Sequence, residues 1–274
     1  MVSPATIARP AFRLLLFALC TLLSRAAVGE ELAPFLAAYQ KASALGAEKK
    51  WAEAAKGYAA FAAANEGDAC APLAAALQGI ILLREMNQAA PAREAFLRAA
   101  KAPANDGLGL ATRDLARGWL ARLQMVQLDA ALRLYWKDRI EYPEKLEALV
   151  ERKLVPAELI VDPWGKPFAY TTGTLKAVPD LPRQTYSLRC TAIEGDSRSL
   201  KAAIVATAAL PNKFQLKAIG GVKPLAALIA FAEDKTKKPV NLAEGEKLDG
   251  ATLVKLTPQG AILMEGGAVA VLAR

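Results

Sequence analysis

The stretch Asp162-Pro163-Trp164-Gly165-Lys166-Pro167-Phe168-Ala169-Tyr170 constrains the fold of this chain more than any other segment. Asp-Pro opens a turn, Gly165 supplies a backbone angle that other residues resist, and Pro167 bars a helix from resuming. Trp164, Phe168 and Tyr170 then give large apolar faces to a short strand. Upstream, Tyr142-Pro143 closes a long amphipathic run that contains Leu128-Asp129-Ala130-Ala131-Leu132 and Tyr135. The expected order is long helix, Tyr-Pro stop, short helix over Lys145–Lys153, turn, strand. The residues that punctuate this order specify backbone shape and carry no chemistry of their own.

Taken together, Tyr142, Pro143, Asp162, Pro163, Trp164, Gly165, Pro167 and Tyr170 resemble, in order and kind, the soluble part of the major pseudopilin of type II secretion systems, over residues 110–172. The resemblance implies a long helix carrying a small antiparallel sheet, with the eight residues as a structural motif. The sheet hairpin of that family falls where Gln184–Ile193 and Leu200–Ala208 read as two strands around Glu194-Gly195-Asp196-Ser197. Many pseudopilins bind calcium in a loop that follows. Here only Asp180, Glu194 and Asp196 stand nearby. A hard cation takes about six to eight oxygens, so we expect the metal site to be lost, and no cofactor is expected.

The N-terminus departs from that family. Arg9 and Arg13 precede the apolar run Leu14–Leu23, and Ser24-Arg25-Ala26-Ala27-Val28-Gly29 follows it. This is the pattern of a cleaved secretory signal, with the cut near Gly29–Glu30. A run of about ten apolar residues is short for a bilayer span. Leu19 before Cys20 is too large for a lipobox. An uncleaved signal anchor is the alternative, and would be the chain's one membrane contact. Off a fibre-forming helix, the chain is not expected to polymerise as a pilin does.

Residues 31–101 read as helices, with apolar and alanine positions at helical spacing in Leu32–Leu45, Trp51–Ala64, Ala71–Met86 and Pro91–Ala100. The pattern Trp51-x-x-Ala54-x-x-x-Tyr58 is echoed by Ala89-x-x-Ala92-x-x-x-Phe96, 38 residues on. Ala44-Leu45-Gly46 precedes the first unit, and Ala76-Leu77-Gln78-Gly79 precedes the second. This resembles two degenerate tetratricopeptide units, whose period is about 34 residues. An alanine-rich antiparallel helix pair would give much of the same pattern. Trp51, Tyr58 and Phe96 read as core. After the break Ala102–Gly107, with Asp106 or Asn105 as cap, a helix is expected from Leu108 to Ile140. Its apolar face is read as Leu115, Trp119, Leu123, Val126, Ala130, Leu134 and Tyr135.

From Phe214 onward, short apolar runs alternate with glycine turns: Phe214–Ile219, Ala226–Phe231, Lys238–Leu242, Ala251–Leu256, Ala261–Glu265 and Val269–Leu272. Regular short strands mean a small β-domain. The glycine and leucine order from Gly245 through Gly250, Leu253 and Gly260 to Leu263 resembles the periplasmic homology-region domain of inner-membrane secretion and pilus proteins that contact the outer-membrane secretin. That resemblance implies a small β-sandwich or SH3-like barrel. The expected fold is therefore α+β and multidomain. Its parts are a signal (1–29), a tetratricopeptide-like helical region (30–105), a pseudopilin-like module (106–210) and a small β-domain (211–274).

Composition narrows the function. The chain has no histidine, which removes His-based triads and the commonest general acid–base group. Asp138 with Glu141, and Glu144 with Glu147, are paired carboxylates, but at helical spacing among Lys and Arg they read as an exposed charged face. The formal charge is +8, yet the one basic cluster, Lys235, Lys237 and Lys238, lacks interleaved aromatics, so no nucleic-acid partner is expected. Cys70 and Cys190 would be free to pair in an oxidising compartment, or stand as two buried thiols. The expectation is a non-catalytic, periplasmic protein of a type II secretion or type IV pilus-like machine. Its expected partners are envelope assembly proteins such as a secretin or an inner-membrane platform component. A general envelope scaffold with tetratricopeptide-like repeats, unrelated to secretion, is the alternative.

Overall fold

The computed structural model describes residues 32–175, 183–193, 199–221, 224–234 and 236–274. The segment read as a signal, the three candidate calcium carboxylates and Lys235 lie outside the described residues. Four helices come first: α1 (Ala33–Ala47), α2 (Trp51–Ala64), α3 (Ala71–Arg84) and α4 (Ala89–Ala99). Their contact faces are rich in alanine, with Ala54, Ala74, Ala76, Ala92 and Ala95 fully buried. Small faces let the helix axes approach, and aromatic rings fill what remains. A Cβ on Gly46 would sit 2.7 Å from the Trp51 ring, and one on Gly79 would sit 2.7 Å from the Phe96 ring. Each ring therefore occupies the place where a side chain would stand.

The long helix α5 (Gly107–Arg139) starts at Asp106, whose carboxylate accepts the Gly109 N–H at 2.7 Å. It ends at Ile140 in a left-handed conformation, three residues before Pro143. Its buried surface differs from the expected stripe. Leu115, Trp119 and Leu123 are buried, but Val126 is 48% and Leu134 56% exposed, and Ala130 is exposed too. Leu128, Ala131 and Leu132 are buried instead. At ~100° per residue, Leu128 lies about 140° around the helix from Leu123. The helix serves two sets of partners on different sides, so no single stripe fits its whole length. Its first half joins the core built by α1–α4. Its second half packs on Leu146 and Leu149 of the α6 region (α6, Glu147–Glu151), on Val155 and on Phe168.

After a 3-10 turn (Ala157–Ile160) come β1 (Ala169–Leu175) and β2 (Arg183–Arg189), an antiparallel pair with Tyr170 opposite Leu188 and Thr172 opposite Tyr186. The segment Leu200–Ala208, expected as a strand, is instead helix α7 (Leu200–Lys213). Ser199 caps it by accepting the Ala202 N–H at 3.3 Å, and Ala203, Thr207 and Leu210 bury one face at helical spacing. Alanine-rich sequence behind a serine cap outweighs the β-branched Ile204, Val205 and Thr207.

Two more antiparallel sheets follow, in orders β3-β4-β5 and β6-β7-β8-β9. The strands are β3 (Phe214–Gly220), β4 (Ala226–Phe231), β5 (Val240–Leu242), β6 (Lys247–Leu248), β7 (Ala251–Thr257), β8 (Gly260–Glu265) and β9 (Ala268–Ala273). The second of these sheets is buried on both faces. Leu253, Ala261, Leu263, Ala270 and Leu272 share a core with Phe214 and Ile229 of the β3–β5 sheet. The alternating residues Val254, Ile262, Met264, Val269 and Val271 complete the helical core. Leu32–Arg274 is one compact unit of α+β architecture, with three small antiparallel sheets among the described residues.

Candidate functional site: the Asp162 turn and the cleft beside Trp164

Asp162 organises the turn. Its side chain is 4% exposed, and Oδ1 accepts the backbone N–H of both Trp164 and Lys166 at 2.9 Å. Its own N–H donates to the Lys166 carbonyl at 2.7 Å, and Gly165 N–H returns to the Asp162 carbonyl at 2.9 Å. Gly165 has φ +82°, the left-handed region where a side chain is strained. Pro163 fixes the entry, and Pro167 pairs with Val161 to close the loop. The remaining carboxylate oxygen accepts the Cys190 thiol at 3.3 Å. Burial first, then the Asp162 carboxylate, push that thiol up to about 11, so it stays protonated at neutral pH. Cys70 lies in the helical core and is not bonded to Cys190.

The other motif residues gather around Tyr186. Tyr170 donates its hydroxyl to the Pro143 carbonyl at 2.8 Å. Tyr142 meets Tyr186 edge to face at 4.7 Å, and its N–H donates to Gln184 Oε1 at 2.6 Å. Tyr186 donates to Asp129, which also pairs with Arg133 at 2.9 Å. Burial pushes the Tyr170 phenol up to about 12. Burial, followed by the hydrogen bond and charge of Asp129, raises that of Tyr186. The eight motif residues thus form two groups on one module: a turn at Asp162–Pro167 and an aromatic clamp at Tyr142, Pro143 and Tyr170.

Trp164 is half-buried and packs against the cluster around the second half of α5. Its indole N–H donates to Asp114 Oδ1 of α5 at 3.2 Å. Beside it a cleft of about 680 Å³ runs between α5, the turn and the β6–β9 sheet. Leu110, Asp114, Trp164, Ile193, Glu244 and Met264 are among its walls. A second groove, of about 570 Å³, lies on α2–α4, with alanines and both acidic and basic residues (Glu66, Asp68, Arg98, Lys101) around it. Tyr58 and Phe96 are buried in the core.

Asp114, Asp129, Tyr186, Cys190 and Glu244 are functional-site neighbours that the sequence does not announce. Each meets its partner across a long stretch of chain, and only Asp129, set among the apolar residues of the long run, stands out locally. Of the paired carboxylates, Asp138 is tied to Arg139 and Arg152, while Glu141, Glu144 and Glu147 are exposed. Among the described residues no group of three or more Cys, Asp or Glu is placed to hold a metal, and no helix is long and apolar enough to cross a membrane. Set against family models, curated proteins and solved structures, the chain matches none.

Proposed function

We propose that the protein is a non-catalytic component or accessory protein of a type II secretion or type IV pilus-like machine, working in the periplasm through protein–protein contacts. The observation that carries this is the packing of the aromatic clamp and the β1–β2 hairpin against the second half of α5, with the Asp162 turn reaching Asp114 further up the same helix. A long helix carrying a small antiparallel strand pair, built with the residues that carry the resemblance, supports the reading; the pair is β1–β2, and the second strand of the hairpin expected over Gln184–Ala208 is helix α7 instead. The two C-terminal sheets suit the small β-sandwich or barrel of a secretin-facing domain. The N-terminal basic and apolar pattern supports export, and a secretin or an inner-membrane platform component is the expected partner.

One observation favours a second reading, a general envelope scaffold. The β6–β9 sheet is buried between the helical core and the β3–β5 sheet, which ties all three regions together. A rigid block of this kind suits a fixed scaffold as well as a machine part. Crosslinking in intact cells, affinity capture of the full-length protein and mass spectrometry separate the two. Recovery of a secretin or platform component supports the first reading. Recovery of other envelope proteins alone supports the second and overturns the first.

A further inference from the structure

We infer that the cleft beside Trp164 is the docking site for a partner segment that carries an arginine or lysine flanked by apolar residues. The inference rests on the reading of the protein as a contact protein, and it names the chemistry of the contact. Among the described residues that line the cleft, the ionisable ones are Asp114 and Glu244, and none is Lys or Arg. Each carboxylate is held by one oxygen: Asp114 by the Trp164 indole N–H at 3.2 Å, Glu244 by the Leu256 N–H at 3.0 Å. Among the described residues, the second oxygen of each has no protein partner. Among the described residues the two acids are therefore oriented with no basic side chain lining the cleft beside them, and the charge they favour is positive.

The rest of the cleft supplies an apolar seat. Leu110 is 48% exposed on α5, Trp164 is pinned through its N–H, and Met264 contributes an adaptable thioether wall. A guanidinium can lie over the indole face and donate to a carboxylate at the same time. A pinned aromatic surrounded by apolar contacts is the usual anchor of a protein interface, because little ordering remains to be done on binding. The groove on α2–α4 is different: both signs of charge line it, and it selects no one partner charge.

The test is a titration of full-length protein, labelled with 15N at its tryptophan indoles, with acetyl-Leu-Arg-Leu-amide and acetyl-Leu-Glu-Leu-amide. Trp164→Phe identifies the Trp164 resonance among the four tryptophans. The arginine peptide is expected to move that resonance saturably, and the glutamate peptide to bind at least about tenfold more weakly. Asp114→Asn keeps an oxygen for the indole N–H. It and Glu244→Gln should each weaken the arginine peptide by about threefold or more and flatten its salt dependence. Equal responses to both peptides, or a Trp164 resonance that stays still, overturn the inference. If both variants still capture an assembly component in cells at the unmodified level, the functional reading stands and this cleft is not the contact. If the arginine peptide binds but no assembly component is captured, the cleft stands and the functional reading falls.

Discussion

The indole N–H of Trp119 donates to the carbonyl of Gly267 at 3.0 Å, joining the middle of α5 to the β8–β9 turn across 148 residues. The same ring stacks on Phe96 of α4 at 5.7 Å, nearly parallel. A Cβ on residue 267 would come within 3.2 Å of the ring, so glycine lets the turn lie against it. One side chain thus bridges the helical array, the long helix and the central sheet.

Trp119→Ala should cost about 3–5 kcal/mol, the range for deleting a fully buried large aromatic. Trp119→Phe should cost less, because it keeps most of the packing but leaves the Gly267 carbonyl without its donor, worth about 1–3 kcal/mol. Urea denaturation followed by far-ultraviolet dichroism and by tryptophan fluorescence checks both. Because the helices and central sheet share a core, the two signals should report one transition in the wild type. Two separated transitions would contradict the shared core.

Trp164→Ala should be milder. The ring is half-buried, so its loss should fall below about 3 kcal/mol, the lower bound for full burial. A thermal melt of the two alanine variants side by side checks the order. If Trp164→Ala is the more damaging, the ring is a core element and the cleft beside it is misdrawn.

The two sides of α5 make a sharper contrast. Leu132→Ala should cost about 2–5 kcal/mol, as for a buried leucine. Leu134→Gln, two residues along but 56% exposed, should stay within about 0.5 kcal/mol of wild type. Chemical denaturation of both variants measures the difference, and equal losses would place the helix in a different rotation.

The Cys190 thiol gives a pH dependence of known sign. Its ordinary value of 9.0 applies to the unfolded chain, and in the folded protein it rises to about 11. The unfolded state therefore loses the proton first. The contribution is fully present below pH 9.0 and is lost as pH climbs through the interval to about 11. Thermal melts from pH 8 upward should show a steeper alkaline fall for wild type than for Cys190→Ser. At pH 8, alkylation of Cys190 should be slow and should quicken in Asp162→Asn, which removes the adjacent negative charge while leaving an oxygen for the Trp164 and Lys166 N–H groups.

The local punctuation was readable because a few residues determine the backbone alone. Asp162, Pro163 and Gly165 leave the chain little choice, and strands β3, β4, β7, β8 and β9 stand where apolar runs meet glycine turns. The segment Leu200–Lys213 was not readable as a helix, because Ile204, Val205 and Thr207 pull toward strand while the serine cap acts through a single hydrogen bond. The rotation of α5 was hidden for another reason. Leu123 and Leu128 are both leucines, and only the position of their partners tells which side is inside. Long-range pairs such as Trp164 with Asp114, or Trp119 with Gly267, leave no periodic trace at all. The runs Ala261–Glu265 and Val269–Leu272 read as strands, but nothing in them says that helices cover one face of their sheet and the β3–β5 sheet the other.

The most direct test of a secretion-machine contact at the cleft places a photoreactive phenylalanine analogue at Leu110, in the cleft, and at Glu66, away from it, in the full-length protein in its native cells. An adduct is expected from position 110 whose partner is a secretin or an inner-membrane platform component, with little or none from position 66. No adduct from position 110, or an adduct only with proteins outside any secretion or pilus machine, would contradict it.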